Sequence, residues 1–279
     1  MHNIKEAKQI IQDADAILIT TGAGMGVDSG LPDFRGNEGF WRAYPPIAKL
    51  GLSFSQMANP SWFGTNPELS WAFYGHRLHL YRNTVPHKGF EMLLELVKVK
   101  ENNYFIFTSN VDGQFQKAGF DEENIYEVHG SIHYMQCTKN CTNKIWSANE
   151  TKVEVDMESF AAHSIPACSY CQEVARPNIL MFNDWFWNKR RAMRQEEKYR
   201  KWLKKFTIFH EKLAIIEIGA GSAIPTVRRE SENLAKRYPN IQLIRINTTE
   251  AELNGAKGCS IEKGGSEGLR VLLDEPTYK

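Results

Sequence analysis

The stretch TTGAGMGVDSGLPDFRG, residues 20–36, decides the fold of this 279-residue chain. It follows DADAILI, an apolar run with the length of a buried strand. Gly22, Gly24, Gly26 and Gly30 then lie close together, so the backbone can turn sharply and press against a ligand. A strand that leads through glycines into a helix presents backbone N–H groups, which suit a diphosphate. The stretch therefore predicts a nucleotide-binding turn at the edge of an α/β sheet.

Composition narrows the class of protein. The chain has 34 basic and 33 acidic side chains, so its charge does not call for nucleic acid, and binding to nucleic acid is not expected. No apolar run approaches the about eighteen residues of a membrane span, and charges interrupt the N-terminal apolar runs, which argues against a signal peptide. We therefore expect a cytoplasmic protein without membrane contact. The sequence leaves its oligomeric state open.

Apolar runs alternate with amphipathic stretches along most of the chain. Strands are predicted at 16–20, 104–108, 125–128, 179–182, 213–218 and 243–246, and helices at 4–13, 67–82, 88–99, 190–210, 226–237 and 266–274. This alternation indicates a parallel sheet with helices on both faces, an α/β fold of the Rossmann-like kind. The segment 37–66 interrupts it with three prolines and several aromatic residues, and it is predicted to be a loop that covers a ligand.

Four of the five cysteines form two close pairs. Cys137 and Cys141 are separated by three residues, and Cys168 and Cys171 by two, with 26 residues between the pairs. Four thiolates are the number that a tetrahedral structural zinc ion takes, and a fully occupied site leaves no position for a catalytic water. The pairs therefore predict a small structural zinc module. The alternative is four unconnected thiols.

Polar residues follow two of the predicted strands, and a second glycine turn follows a third. Asn110 and Asp112 stand in FTSNVDGQFQKAGF, where a strand ends, although capping of the next helix would also explain them. His129 stands between an apolar strand and Gly-Ser, and its imidazole is suited to act as a base near neutral pH. A second glycine turn, Gly219-Ala220-Gly221, follows the strand 213–218. Two such turns can hold both halves of a dinucleotide.

In this order, the motifs resemble those of the sirtuins, the NAD-consuming protein deacylases. The first stretch is similar to their GAGxSxxSGIPDFRG, with departures at Gly26 and Leu31. The second is similar to TQNIDxLHxxAG, with departures at Ser109, Gln114 and Phe115. The resemblance covers nearly the whole chain and extends to microbial sirtuins linked to macrodomains. It implies a Rossmann-like NAD-binding domain (1–36, 67–132 and 178–279), a cofactor-binding loop (37–66) and a small zinc-binding module (133–177).

The resemblance also implies the cofactors NAD and zinc and a set of site residues. The catalytic residues are expected to be His129, Asn110 and Asp112. The residues expected to bind NAD are Gly22, Ala23, Gly24, Asp33, Phe34, Arg35, Ser109, Asn110, Asp112, Gly219, Ala220, Gly221, Asn247 and Cys259. The expected zinc ligands are Cys137, Cys141, Cys168 and Cys171. The residues expected to contact the substrate are Tyr74, Arg77, Phe182 and Asn183.

Tyr74 and Arg77 are three residues apart and share one face of a predicted helix. A Tyr-x-x-Arg pair in this region is similar to the pair with which some sirtuins hold succinyl or malonyl groups, since a guanidinium can bind a carboxylate through two hydrogen bonds. The alternative is that Tyr74 packs in the core and Arg77 reaches solvent. ARPNILMFNDWFW, residues 175–187, resembles the sirtuin segment that pairs with the substrate peptide as an added strand.

The resemblance implies an NAD-dependent protein-lysine deacylase, foremost a deacetylase, that releases nicotinamide and O-acyl-ADP-ribose. Its partner is then an acylated protein. Phe115 and the altered residues near Asn183 leave open a sirtuin-type protein ADP-ribosyltransferase, whose partner accepts ADP-ribose. An NADase or a non-catalytic NAD sensor also remains open. The basic run from 188 to 205 is read as a solvated helix face, or as a surface for an acidic protein.

Overall fold

The computed structural model describes residues 2–33 and 36–273. The strands are β1 (Ala16–Thr21), β2 (Tyr104–Thr108), β3 (Ile125–Glu127), β4 (Gly130–Cys137), β5 (Trp146–Ser147), β6 (Val155–Asp156), β7 (Ala161–Ala162), β8 (Ala175–Ile179), β9 (Leu213–Ile218), β10 (Ile241–Ile246) and β11 (Gly258–Ile261). The α-helices are α1 (His2–Asp13), α2 (Gly36–Ala43), α3 (Pro45–Lys49), α4 (Phe54–Met57), α5 (Trp62–Thr65), α6 (Pro67–Asn83), α7 (Lys88–Val99), α8 (Gln114–Lys117), α9 (Arg190–Thr207), α10 (Thr226–Arg237) and α11 (Gly265–Leu273). Two 3₁₀ helices cover Ala23–Ser29 and Glu122–Asn124.

Six parallel strands of the described chain form one sheet in the order β11-β10-β9-β1-β2-β3. Strands β1 and β9 are buried along their whole length, as their apolar sequences require. One face packs on α1, α7 and α11, and the other on α9 and α10. The predicted Rossmann-like class is confirmed.

Five of the predicted strands lie in this sheet, but the strand predicted at 179–182 is wrong. Strand β8 ends at Ile179 and pairs antiparallel with β4, which also pairs with β5 in a separate three-stranded sheet. Beyond it the backbone N–H of Leu180 donates to the carbonyl of His129, and that of Phe182 donates to Ala58. Strand β11 is not predicted, since its sequence GCSI contains no apolar run.

The segment 37–66 is largely helical instead of forming an irregular loop. Its side chains Phe40, Tyr44 and Phe63 are buried against Trp71 and Phe73 of α6, in an apolar core distinct from that of the large sheet. The aromatic residues that interrupt the sequence pattern thus build a second core, which also includes apolar residues of β4, β8 and the segment between them. The domain limits given above remain a prediction. None of the described helices is both long and apolar enough to cross a bilayer.

Candidate active site

A cleft of about 400 Å³ opens at the carboxyl ends of β1, β2, β3 and β9, between the large sheet and the second core. The residues that line it from the sheet side are Gly22, Ala23, Gly24, Leu31, Pro32, Asp33, Ser109, Asn110, Val111, Asp112, His129, Gly219, Ala220, Gly221, Ala223, Ile224 and Val227. The opposite side is lined by Phe54, Ala58, Tyr74, Arg77, Tyr81, Ile179, Leu180, Met181 and Phe182. Most of the predicted site residues therefore meet at one place.

The two glycine turns touch each other at the floor of the cleft. The Gly24 N–H donates to the Gly219 carbonyl at 3.0 Å, and the Gly22 N–H donates to Ile218 at 3.1 Å. A Cβ at Gly22 would lie 2.7 Å from the Gly219 oxygen, and one at Gly219, whose φ is 61°, would lie 2.4 Å from the Gly24 carbonyl carbon. The backbones can approach this closely only because both turns lack side chains.

The first turn continues into the 3₁₀ helix Ala23–Ser29 and not into an α-helix. It ends at Gly30, which has a left-handed conformation (φ 84°). The shallow cradle formed by the two turns has room for an extended dinucleotide phosphate close to the backbone, since its glycines carry no side chains that would fill it. Asp33 also lines the cleft. Phe34 and Arg35 lie outside the described residues, so their expected contact with NAD remains a prediction.

Asn110 and Asp112 follow β2 into the cleft. The Asn110 side-chain amide donates to the Gly22 carbonyl at 2.9 Å, which joins the second motif to the first turn. The Asp112 Oδ1 accepts from the Gln114 N–H at 2.9 Å, so this carboxylate both lines the cleft and starts α8. Burial raises the pKa of Asp112 to about 6, and the nearby Glu127 carboxylate acts in the same direction.

His129 lies just beyond β3 and lines the same cleft as the second glycine turn. Its Nε2 is 3.5 Å from the Thr226 Oγ1 at the start of α10, and its ring also bonds the Ser109 backbone. Burial lowers the pKa of His129 below its usual value, with the Ser109 contact acting against it. The imidazole is therefore neutral at pH 7, the state in which it can accept a proton.

The predicted substrate residues Tyr74 and Arg77 line the cleft from α6. Arg77 is buried, and its Nε and Nη2 donate to the Tyr81 hydroxyl at 3.0 and 2.7 Å. Tyr74 stacks on Phe63 with ring centroids 5.6 Å apart. Sequence analysis does not predict Tyr81 or Thr226. Tyr81 could have been found, because it follows Arg77 by one helical turn, whereas nothing in the sequence marks Thr226.

Several residues expected at the site do not line the cleft. Asn183 is exposed, at a left-handed φ of 56° that asparagine tolerates. Asn247 is buried and donates to the Ala220 carbonyl at 2.9 Å, so it supports the second turn from behind. Cys259 lies on β11 beside Ile244, in the sheet core, and burial raises its pKa to about 12.

Phe115, a departure from the sirtuin motif that left another reaction open, also lies in the sheet core. Its ring centroid is 5.0 Å from that of Phe90 and 5.3 Å from that of Phe120. Trp185 and Phe186, which belong to the altered residues near Asn183, are exposed to solvent by 90% and 65%. Neither of the two sequence features that favoured a changed reaction therefore lines the cleft.

The four cysteines of the two pairs come together as predicted. Their Sγ atoms all lie within 4.8 Å of one another, with Cys137 and Cys171 at 3.5 Å and Cys141 and Cys168 at 3.6 Å. A tetrahedral site with Zn–S bonds of about 2.3 Å places its sulfurs about 3.8 Å apart, so this arrangement fits a zinc ion. The cysteine cluster lies away from the residues that line the cleft, which agrees with a structural role.

Fold and site together define an NAD-binding α/β protein with a tetrathiolate zinc module. The Sir2 family model matches residues 22–203, and the chain belongs to this family. An NAD-dependent protein deacylase of Aquifex aeolicus is 30% identical over 92% of this chain and 94% of its own. One of Thermus thermophilus is 28% identical over 98% of this chain and 95% of its own. The alignment with NAD-dependent protein deacylase 1 of Archaeoglobus fulgidus, at 30% identity, spans 62% of either chain.

Solved structures share the fold. A Sir2 homologue in complex with NAD superposes with a TM-score of 0.75 at 23% identity, over 97% of this chain and 92% of that one. A mutant Sir2 homologue bound to ADP-ribose gives 0.73 at 24% identity, over 96% and 94%. At such low sequence identity, these similarities show only that the fold is shared.

Proposed function

We propose that this protein is an NAD-dependent protein-lysine deacylase that releases nicotinamide and O-acyl-ADP-ribose. The observation that carries the proposal is the position of His129: a neutral imidazole faces a cradle of two glycine turns, with Asn110 and Asp112 at the same end of the cleft. Full-length relatives named as NAD-dependent protein deacylases support it.

The position of each residue in the cleft indicates its role in the proposed reaction. NAD supplies a ribose carbon from which nicotinamide leaves and to which the acyl oxygen can bind. The two glycine turns let the diphosphate lie close against the backbone, and Asn110 and Asp112 orient the nicotinamide end. His129 takes a proton from a ribose hydroxyl, and that oxygen bonds to the acyl carbon. The lysine amine leaves with a proton, and one water molecule supplies the oxygen that replaces the acyl oxygen now bound to the ribose carbon. Leu180 and Phe182 flank the acyl-lysine and keep bulk water from the ribose carbon while nicotinamide leaves.

The substrate is an acylated protein. The cytoplasm is the proposed compartment, because cysteines that serve as metal ligands and do not form disulfides are typical of a reducing environment. The side chain of the acylated lysine enters between Phe182 and Val111, both of which line the cleft. The Phe182 ring packs edge-on against Phe54, with ring centroids 6.0 Å apart, so Phe54 supports this wall of the cleft.

The test is turnover of an acetyl-lysine peptide with NAD, followed by mass spectrometry of peptide and nucleotide. We expect loss of the acyl group and formation of O-acyl-ADP-ribose. His129→Ala should lower this rate by about 10²–10⁴-fold, the usual contribution of a general base, with NAD affinity changed little. Nicotinamide release that does not depend on acyl-lysine, or transfer of ADP-ribose onto the protein, would contradict the proposal.

A further inference from the structure

Exposed aromatic and basic side chains follow directly after the cleft-lining segment 179–182. Trp185 is 90% and Phe186 65% exposed. Lys189, Arg190 and Arg194, at the start of α9, are exposed as well. We call these five residues the aromatic–basic patch. The proposed reaction makes no use of them, and apolar rings this exposed contribute nothing to the core.

The turn that carries the patch is held in place by a buried ion pair and by hydrogen bonds to the backbone of Phe186. Arg176 and Asp184 form a two-bonded ion pair at 2.7 and 2.9 Å, with both side chains almost fully buried. The Asp184 Oδ1 also accepts from the Phe186 N–H at 3.2 Å. The Phe186 carbonyl accepts from the side chains of Gln136 and Asn140 at 2.9 and 3.1 Å. The two rings are therefore displayed by a fixed turn.

The charge of the patch is not neutralised locally. Among the residues that the structure describes, Lys189, Arg190 and Arg194 form no ion pair. Arg191, between them, is buried instead and pairs with Glu127 at 2.6 Å. Asp184 is the one acidic residue from 184 to 195, and Arg176 already neutralises it. The surface thus presents positive charge beside apolar rings.

The patch lies close to the cleft. Phe182 lines the cleft, and Trp185 follows it by three residues, which even in an extended chain span at most about 11 Å. Leu180 also lines the cleft and is 39% exposed. A polypeptide that inserts an acylated lysine here would run past the patch within a few residues of that lysine.

We propose that the aromatic–basic patch docks the substrate protein and selects sequences in which acidic and apolar residues flank the acylated lysine. This inference rests on the proposed deacylase function. Carboxylates would pair with Arg190 and Arg194, and an apolar side chain would pack on Trp185 and Phe186. Exposed aromatic rings and arginines are the groups that contribute most at protein interfaces, and complementary charge adds specificity.

The experiment compares a short peptide with two extended peptides that share its acyl-lysine core. The short peptide ends close to the lysine. The extended peptides continue with alternating Asp and Leu residues, one on the N-terminal side of the lysine and the other on the C-terminal side. We expect the wild type to favour an extended peptide by about 10-fold in kcat/KM, through KM, and less so at high salt. R190E/R194E and W185A/F186A should each remove most of this preference and leave the short peptide unaffected. K201E/K205E, an exposed charge reversal farther along α9, is the matched control and should retain it.

Equal kcat/KM for short and extended peptides in the wild type would overturn the docking surface and leave the deacylase proposal intact. Absence of turnover of even the short peptide would instead overturn the proposed function. An effect of K201E/K205E as large as that of R190E/R194E would show that the preference comes from the overall positive charge of α9. That result would also overturn the proposed docking role of the patch. So would tight binding of a single-stranded oligonucleotide that R190E/R194E abolishes, without any discrimination among peptides.

Discussion

At the scale of single residues, burial sets the charge of the two titrating groups in the cleft. It lowers the pKa of His129 and raises that of Asp112 to about 6, because a buried site disfavours either charged form. At pH 7 the histidine is therefore neutral while the aspartate is ionised. Both are in the state that the proposed reaction needs, and both leave it as the pH falls.

We accordingly predict that kcat/KM for NAD declines as the pH drops below about 6, where Asp112 becomes protonated. Asp112→Asn should lower the rate at pH 8 and remove the part of the pH profile that belongs to Asp112. What remains is the protonation of His129. Initial rates between pH 5 and 8 measure both. An unchanged profile in the variant would show that Asp112 does not control the reaction.

Stability should respond in the opposite direction. Asp112 has a higher pKa in the folded state than in the unfolded chain, so its protonation favours folding. This contribution is complete below the unfolded value near 3.8 and is lost as the pH rises through about 6. Between these two values, Asp112 therefore adds stability while activity falls.

At the scale of elements, local spacing predicts each turn but not how the turns meet. Gly22, Gly24, Gly219 and Gly221 are evident from the sequence as two turns after two strands. Their mutual contact depends on β1 and β9 being neighbours in register, which no local pattern specifies. Two departures from the sirtuin pattern are also adjacent in space: a Cβ at Gly26 would lie 3.1 Å from the Leu31 Cδ1.

In helix α6 as well, local spacing predicts which residues share a face but not what they contact. The three-residue spacing of Tyr74 and Arg77 places both on one face, and the structure indeed finds both at the cleft. The alternative that Arg77 reaches solvent is wrong, since the side chain is buried. Its bonds to Tyr81 and its contacts with the Phe73 and Tyr81 rings involve aromatic residues that sequence analysis does not place at the site.

This environment leads to a prediction on acyl preference. A guanidinium held among rings at the cleft wall favours an acyl chain that ends in a carboxylate, so a succinyl-lysine peptide should be a good substrate. Arg77→Met should lower kcat/KM for this peptide by about 10–100-fold, the loss of a charged hydrogen bond, and change that for acetyl-lysine by much less. Arg77→Lys, which keeps the positive charge, should retain part of the kcat/KM for the succinyl-lysine peptide. Equal losses for both peptides, or a lowered melting temperature, would indicate a structural role.

At the scale of the whole molecule, the cleft depends on two cores that approach each other. The sheet core supplies the glycine turns, Asn110 and His129, and the second core supplies Arg77 and Phe182. The sheet is predictable because its apolar strands are nearly continuous. The second core is not, since it joins Phe40 and Trp71 to Ile132 and Phe160, residues far apart in sequence and without a common period.

The zinc module adjoins the part of the second core to which β4 and β8 contribute. Cys137 ends β4, and Cys168 lies just ahead of β8, so the metal ties together the two strands behind the substrate segment. We expect one zinc ion per chain by elemental analysis. Chelation, or Cys141→Ser with Cys171→Ser, should lower the melting temperature and abolish acyl transfer, because the free energy of metal binding here is part of folding. NAD affinity, measured by calorimetry, should fall much less, since the residues that form the NAD cradle belong to the sheet core.

The control variant Cys259→Ala removes a thiol outside the cluster and should keep the zinc content at one ion per chain. Full activity of the metal-free protein would contradict this account, as would a loss of NAD affinity equal to the loss of turnover.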